Sequence, residues 1–296
     1  MSDEVQAPLA AIIRRLSKPL APQPTGIEPQ LPALTGIKAV VFDVYGTLLI
    51  SGSGDISLTS GVSTADAAAD ALSAVGIDVA IDGQSVVELL TQTVQQHHER
   101  SKSDFPEVDI LAVWGELLAH VGTTAGDLTR EQLERLAIEY ECRANPIWPM
   151  PSVVATLATL RSAKLTLGII SNAQFFTPIA MEQLLGKRLA ELGFDPPRCV
   201  WSYQHLVAKP GSDLYEQSVA GLAEQGIAPD EVLYIGNDMR NDIGPASRAG
   251  FRTVLFAGDA RSLRLREEDP DLIGVEPDAV ITDLSQILTI LSLADG

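Results

Sequence analysis

Apolar residues along this 296-residue chain follow two rhythms that exchange places twice. Ile37 to Phe42 (IKAVVF) is a short apolar run, rich in β-branched residues, that closes on Asp43, the pattern of a buried strand. Tyr45 to Ser60 follows with Gly46, Gly52 and Gly54, which predicts a turn and a small hairpin. From Ser63 to Asn145 the period is helical throughout. Helices are predicted over Thr64–Val75, Gln84–Lys102, Asp109–Val121 and Thr129–Arg143, the second with Val87, Leu90, Thr91 and Val94 on one face. The last has Thr129 as N-cap and Gln132 three residues on, a capping box. Beyond Trp148-Pro149-Met150-Pro151 the alternation returns. Helices near Ser152–Ala163, Ile179–Leu192, Asp213–Ala223, Ile243–Ala249 and Leu284–Leu293 alternate with strands at Leu165–Ile170, Cys199–Trp201, Val232–Ile235, Thr253–Phe256 and Ala279–Ile281.

Strand–helix alternation implies an α/β fold, a Rossmann-like and mainly parallel sheet with helices on both faces. The strandless stretch splits it, so an all-helical cap is inserted after the first strand. The organisation predicted is an N-terminal extension over 1–36, core over 37–62, cap over 63–147 and core again over 148–296. The extension holds Pro8, Pro19, Pro22, Pro24, Pro29 and Pro32, six of the 18 prolines, around a short amphipathic helix near Ala7–Ser17. It reads as a surface arm, with contact between the subunits of a homo-oligomer as one use.

Acidic residues outnumber basic ones 39 to 21, for a net charge of −18. That argues against a nucleic-acid partner, which needs clustered Lys and Arg. A small-molecule anionic substrate stays compatible, because a local cation can dominate a narrow cleft. No apolar run approaches the ~20 residues that span a bilayer, so no membrane partner is expected. The N-terminus makes a poor secretory signal, with Arg14 and Arg15 interrupting its apolar stretch. Cys142 and Cys199 are the only cysteines, too few for a disulfide framework, which suits a reducing compartment such as the cytoplasm.

Polar residues directly after apolar runs are Asp43, Ser171-Asn172 and Asn237-Asp238, with Lys209 in the loop beyond Cys199–Trp201. In open parallel sheets, ligands bind beyond the carboxyl ends of the strands. Each alone has a structural reading: a turn residue, a helix cap or a solvated loop. Their joint order resembles the haloacid dehalogenase superfamily, from Ile37 to about Ile290. The motifs are Asp43-Val44-Tyr45-Gly46-Thr47, then Ser171-Asn172, then Lys209-Pro210 with Tyr215 downstream, then Gly236-Asn237-Asp238-Met239-Arg240-Asn241-Asp242. The resemblance implies a hydrolase in which Asp43 attacks the substrate to form a covalent aspartyl intermediate. By the same resemblance Thr47 fixes the Asp43 carboxylate, Ser171 and Asn172 hold the transferring group, and Lys209 neutralises charge shared by nucleophile and substrate. Arg100, on the second cap helix, is a candidate for binding the substrate anion.

Two departures bear on the substrate. Most phosphatases of the superfamily carry a second Asp two residues after the nucleophile, to protonate the leaving alcohol; here Tyr45 stands there. Tyr45 and Tyr215 both match the dehalogenases, whose halide leaves without a proton and without a metal. Against this, Asp238 resembles the acidic fourth motif that holds Mg²⁺ in the phosphoryl-transfer members. The implied metal set is Asp43, the Tyr45 carbonyl, Asn237 and Asp238. Without a cation, a carboxylate ~4 Å from Asp43 repels it by about 4 kcal/mol at an intermediate dielectric. The alternative is that Asp238 caps the helix that follows. On balance the residues favour a Mg²⁺-dependent phosphatase of a small phosphorylated metabolite over a metal-independent 2-haloacid dehalogenase. A family member that binds without turnover is the third reading.

Overall fold

The structure, a computed structural model, describes residues 3–52, 64–122 and 128–293. In chain order, α1 (Asp3–Leu16) precedes β1 (Ala39–Phe42) and β2 (Leu49–Ser51). The helices α2 (Thr64–Ala74), α3 (Gly83–Arg100), α4 (Ile110–His120) and α5 (Arg130–Ala144) follow, and then β3 (Ile147–Pro149). The rest alternates: α6 (Val153–Ser162), β4 (Thr166–Ser171), α7 (Phe176–Leu185), α8 (Leu189–Leu192), β5 (Phe194–Trp201), α9 (Ser202–His205), α10 (Asp213–Ala223) and β6 (Val232–Gly236). Last come α11 (Gly244–Arg248), β7 (Arg252–Phe256), β8 (Ala279–Ile281) and α12 (Gln286–Ile290).

The main sheet has six parallel strands in the order β5-β4-β1-β6-β7-β8. Every residue of β1 is buried, as its unbroken apolar run requires of a strand covered on both faces. The chain moves outward from β1 through β4 and β5, then returns to β6 on the other side. The switch in direction therefore lies between β1 and β6, where the strand ends leave a crevice. At the β5 edge, Pro196 and Pro197 are tolerated because an edge strand need not donate on both sides.

Helices α2 to α5 pack on one another, and α5 begins with the expected box, Gln132 N–H donating to Thr129 Oγ1 at 3.2 Å and Thr129 N–H to Gln132 Oε1 at 2.9 Å. In α3 the buried side chains are Val86, Leu90 and Thr93, so the face is turned from the one the sequence suggests, and Thr91 is exposed. The hairpin expected within Tyr45–Ser60 is a different pairing. β2 runs antiparallel to β3, with Leu49 opposite Pro149 and Ser51 opposite Ile147, so the two chain passages into the cap hold each other. Residues 53–60 of that expectation lie outside the described residues. A second seam joins cap to core beside Lys209: Glu107 N–H donates to Leu206 O (3.1 Å), Ala208 N–H to Phe105 O (2.8 Å) and Ser202 Oγ to Glu107 Oε2 (2.7 Å).

The N-terminal extension is fastened to the rest of the chain at two places. Helix α1 packs on α5 of the cap and α7 of the core, burying Leu9, Ile12 and Ile13, while Arg15 pairs with buried Glu139, which Arg143 also holds. Further on, Gln30 bridges Val280 and covers the β8 edge. The prolines keep this stretch extended, and its apolar positions fasten it down. The helix expected over Ile179–Leu192 is two, because α7 stops at Gly186 in the left-handed region (φ +68°). No helix among the described residues is long and apolar enough to cross a membrane.

Candidate active site

Asp43 follows β1, Ser171 ends β4, and Asn237 follows β6, so all three sit at the carboxyl edge of the central strands. Lys209 reaches the same point from the loop after α9. Its ammonium donates to Asp43 Oδ1 (2.7 Å) and Asp242 Oδ1 (2.6 Å), and lies 3.3 Å from the Tyr234 hydroxyl. All three charged groups are buried, with 6%, 6% and 1% of Asp43, Lys209 and Asp242 exposed. Burial opposes the Lys209 charge, but Asp242 and Asp43 together outweigh it and raise its pKa, so the ammonium is held protonated. Burial lifts the Asp242 carboxyl to about 6, with Lys209 pulling it back down.

The neighbouring polar groups aim this centre. Asn172 grips the Lys209 backbone, accepting from its N–H (2.8 Å) and donating to its carbonyl (3.2 Å), which fixes where the lysine side chain starts. Ser171 is fully buried and donates to the Asn172 carbonyl (3.2 Å), bracing the strand end without lining the cleft. Thr47 donates to Asn237 Oδ1 at 3.1 Å, so it ties the turn after Asp43 to the fourth motif instead of holding Asp43 directly. That turn depends on Gly46: at φ +83° its absent side chain leaves room for Ser262, whose Cβ would stand 2.6 Å from an added methyl.

Tyr45 lines the cleft, with its hydroxyl turned to Thr177 Oγ1 (2.9 Å) on α7. Burial, then the charge of Glu141, push its pKa well above the ordinary tyrosine value, so the phenol is a weak proton donor. Tyr215 stands behind the site, its hydroxyl on Asn241 O (2.6 Å) and its ring 5.5 Å from Tyr234. Arg100 is elsewhere: on an exposed face of α3 it forks onto Glu116 of α4, at 3.1–3.2 Å, and does not line the cleft. Glu116 also takes His97 (2.9 Å), so this cluster staples two cap helices together.

The fourth motif forms a π-helical turn, Met239–Ile243, and Asp238 is its N-cap. Asp238 Oδ1 accepts from the N–H groups of Arg240 (2.8 Å) and Asn241 (3.3 Å), and Oδ2 from Asn241 Nδ2 (3.1 Å) and Arg266 (2.8 Å). Asp242 Oδ2 accepts from the N–H groups of Asn237 and Asp238, both at 3.0 Å. The Asn237 amide accepts from Thr47 and donates to Ser262 O (2.6 Å). A divalent cation needs several carboxylate or carbonyl oxygens turned toward one point, and each hydrogen bond that an oxygen already accepts leaves it less to offer the ion. Here the only carboxylate oxygen of the three aspartates without a donor, among the described residues, is Asp43 Oδ2. No three His, Cys, Asp or Glu side chains among those residues are grouped as a metal site requires. The donor set does not fit Mg²⁺, because the carboxylate expected to hold it caps a helix and pairs with an arginine.

What remains is a cleft of about 110 Å³, with room for roughly four waters, lined by Asp43, Tyr45, Ser51, Asn172, Lys209, Ser262 and Arg264 among others. Ser262, Arg264 and Arg266 come from the loop after β7, which the sequence reading passed over. Arg261, Arg264 and Arg266 within six positions of so acidic a chain were the signal available. Tyr234 was also missed, because on a strand it looks like any core aromatic.

A sequence model described as haloacid dehalogenase-like hydrolase matches residues 37–250. A glyceraldehyde 3-phosphate phosphatase of Methanothermobacter thermautotrophicus is 29% identical over 147 residues, 48% of this chain and 58% of that protein. The chain spans about half the length of such curated relatives. Among solved structures, a 2-haloacid dehalogenase of Pseudomonas syringae pv. Tomato superposes with a TM-score of 0.57 at 22% identity, covering 86% of this chain and 98% of that one. A phosphatase from Thermococcus onnurineus does so with 0.54 at 20% identity, over the same shares. At these identities the two structures share the fold with this chain.

Proposed function

The chain belongs to the haloacid dehalogenase-like hydrolase family, and within it we propose a metal-independent hydrolase that uses Asp43 as nucleophile on a small anionic substrate whose leaving group departs unprotonated. A 2-haloacid is the substrate class this fits. The observation that carries the proposal is the saturation of the fourth motif: Lys209, not a cation site, faces Asp43, and both oxygens of Asp238 and Asp242 are taken by protein donors. Tyr45 supports it, since the position from which a leaving alcohol would be protonated carries a buried phenol that holds its proton.

In this reading Lys209 fixes Asp43 Oδ1 and leaves Oδ2 to attack the electrophilic carbon. The carbon–halogen bond breaks as the ester bond forms, and halide carries the electron pair away. Water then cleaves the aspartyl ester, returning the carboxylate and releasing the hydroxy acid. Preorganised charges of the Lys209 kind are typically worth a few kcal/mol each in a dry site. The seams between cap and core supply the dryness.

A second reading, Mg²⁺-dependent hydrolysis of a small phosphorylated metabolite, is favoured by the phosphatase names of the sequence relatives. It requires Asp238 to leave its cap and Arg266. Release of chloride from 2-chloropropionate, unaffected by EDTA, is the result expected. Phosphate release from an aryl phosphate that needs Mg²⁺, with no chloride release, overturns the first reading in favour of the second. No turnover of either by folded protein favours a binding member. We place the enzyme in the cytoplasm, where two buried free thiols stay reduced.

A further inference from the structure

We propose that Asp259 is a positioning residue of the Asp43 cleft: it clamps the N-terminal arm to the loop after β7, so that residues 21–25 help to shape a site that they do not line. The effect expected on turnover rests on the hydrolytic reading of that cleft; the effect expected on the loop itself does not.

The loop has little regular structure to hold it. Residues 257–278 run from β7 to β8 without a strand or an α-helix, yet Ser262 and Arg264 of this stretch line the cleft. Between α1 and the Gln30 bridge, the arm runs along this loop and hydrogen-bonds to it. Gln23 N–H donates to Asp259 Oδ1 (3.2 Å), and Gln23 O accepts from Ala260 N–H (2.8 Å). Arg261 Nη2 donates to Ala21 O (2.6 Å), and Thr25 Oγ1 to Ala257 O (2.9 Å). Asp259 stands at the centre of these contacts. Its carboxylate, buried at 1% exposure, also takes the N–H (3.1 Å) and the guanidinium (2.8 Å) of Arg261. Its carbonyl accepts from the N–H groups of Ser262 (3.2 Å) and Leu263 (3.0 Å). One residue thus holds the arm with its side chain and starts the turn of the cleft wall with its backbone.

From this turn, contacts lead on to Asp43. Ser262 O accepts from Asn237 Nδ2 (2.6 Å), Asn237 Oδ1 accepts from Thr47, and Ser262 fills the room that Gly46 leaves. Arg264 N–H donates to Asn237 O (3.0 Å) and Arg264 O accepts from Met239 N–H (2.9 Å), a strand-like bridge along the fourth motif. A shift of the loop is therefore passed to Asn237 and to the turn that follows Asp43. A largely buried ion pair such as Asp259–Arg261 often adds little net stability over apolar residues of the same size; what it fixes here is geometry. In a narrow site, a displacement of about 1 Å caused far from the chemistry costs on the order of a hundredfold in rate. The arm suits this use, because its prolines make it a stiff strut rather than a tether.

The test compares wild type, Asp259→Ala, Asp259→Asn and Gln23→Pro by amide hydrogen exchange over residues 237–264, by steady-state turnover and by Tm. Pro24 already keeps Gln23 extended, so Gln23→Pro removes the N–H that meets Asp259 and touches nothing in the cleft. Asp259→Ala should speed exchange at Met239 and Arg264 about tenfold and leave β1 and β4 as in wild type. It should lower kcat by about 10- to 100-fold, with a smaller change in KM. Gln23→Pro should show the same pattern at about three- to tenfold, and Asp259→Asn, whose Oδ1 still accepts from Gln23, should recover much of the loss. A lower Tm with kcat per folded molecule unchanged is the mark of a merely structural residue and overturns the inference. So does exchange at Met239 and Arg264 that stays at the wild-type rate, and so does a Gln23→Pro protein that matches wild type in both readouts. Should Asp259→Ala not fold, Gln23→Pro and Asp259→Asn decide in its place. The hydrolytic reading fails separately, if Asp43→Asn keeps full turnover or wild type shows none; exchange then decides the clamp by itself.

Discussion

Asp238→Asn decides between a capping carboxylate and a metal-binding one. In the structure Asp238 accepts two backbone N–H groups of the π-helical turn and pairs with Arg266. Asparagine is as good an N-cap as aspartate, so the cap loses a few tenths of a kcal/mol. The Arg266 pair is partly exposed on the arginine side, which limits it to about 1 kcal/mol. The expected destabilisation is therefore about 1–1.5 kcal/mol, a fall of roughly 2–5 °C in Tm at this chain length. Activity should stay within about threefold of wild type, because Lys209 and Asp242, the charges in contact with one another and with Asp43 through the lysine, are unchanged. A metal ligand behaves in the opposite way: its amide loses the ion's charge and, with it, several kcal/mol of transition-state stabilisation. Calorimetry and steady-state turnover with and without EDTA read the two quantities. A hundredfold loss of activity with Tm unmoved, restored by excess Mg²⁺, would refute the assignment.

Three further outcomes follow from the same contacts. Lys209→Met leaves Asp43 and Asp242 facing each other without a cation; it should abolish activity and destabilise by about 3–5 kcal/mol in urea titrations, less at acid pH where the carboxyls can protonate. Glu141, next to Tyr45, has its pKa raised by burial from 4.5 to about 7. Between those values the unfolded chain is ionised and the folded one still protonated, so this group's contribution is present in acid and is lost as pH rises to 7. Glu141→Gln should match wild type near pH 4 and exceed it by about 1–3 kcal/mol at pH 8; an offset independent of pH counts against the buried acid. Ile13→Ala, at 1% exposure between α1, the cap and the core, should cost about 2–5 kcal/mol and sensitise α1 to protease, whereas a free arm would lose nothing.

The gathering of the strand-end residues at one edge was legible for a simple reason. An apolar run that ends in a polar residue shows where a buried strand stops, and parallel strands stop on one edge, so Asp43, Ser171 and Asn237 had to converge. Lys209 came with them through motif order. Orientation was not legible. A carboxylate just after a strand has one signature whether it ligates an ion or caps the next turn, and the partner that settles it, Arg266, lies 28 residues away on a loop without periodicity. Thr47 misled in the same way, since its acceptor is 190 residues distant. The prolines of the N-terminal arm report an extended backbone, but what fastens the arm is set by Leu9, Ile12 and Ile13, whose partners are on α5 and α7.

Charge balance links these observations to the chemistry. Asp43, Lys209 and Asp242 together carry one negative charge and are all buried, with Lys209 shared between two carboxylates at 2.7 and 2.6 Å. In the proposed reaction Asp43 becomes an ester and gives up its charge, and Lys209 is left paired with Asp242 alone. The cluster becomes neutral as the leaving group carries the negative charge out. In the proposed mechanism, attack thus relieves an electrostatic tension that the resting site contains. Asp242 is what makes the lysine sufficient. Held by two backbone N–H groups at 3.0 Å, it keeps Lys209 protonated and aimed at Asp43 in both states of the nucleophile.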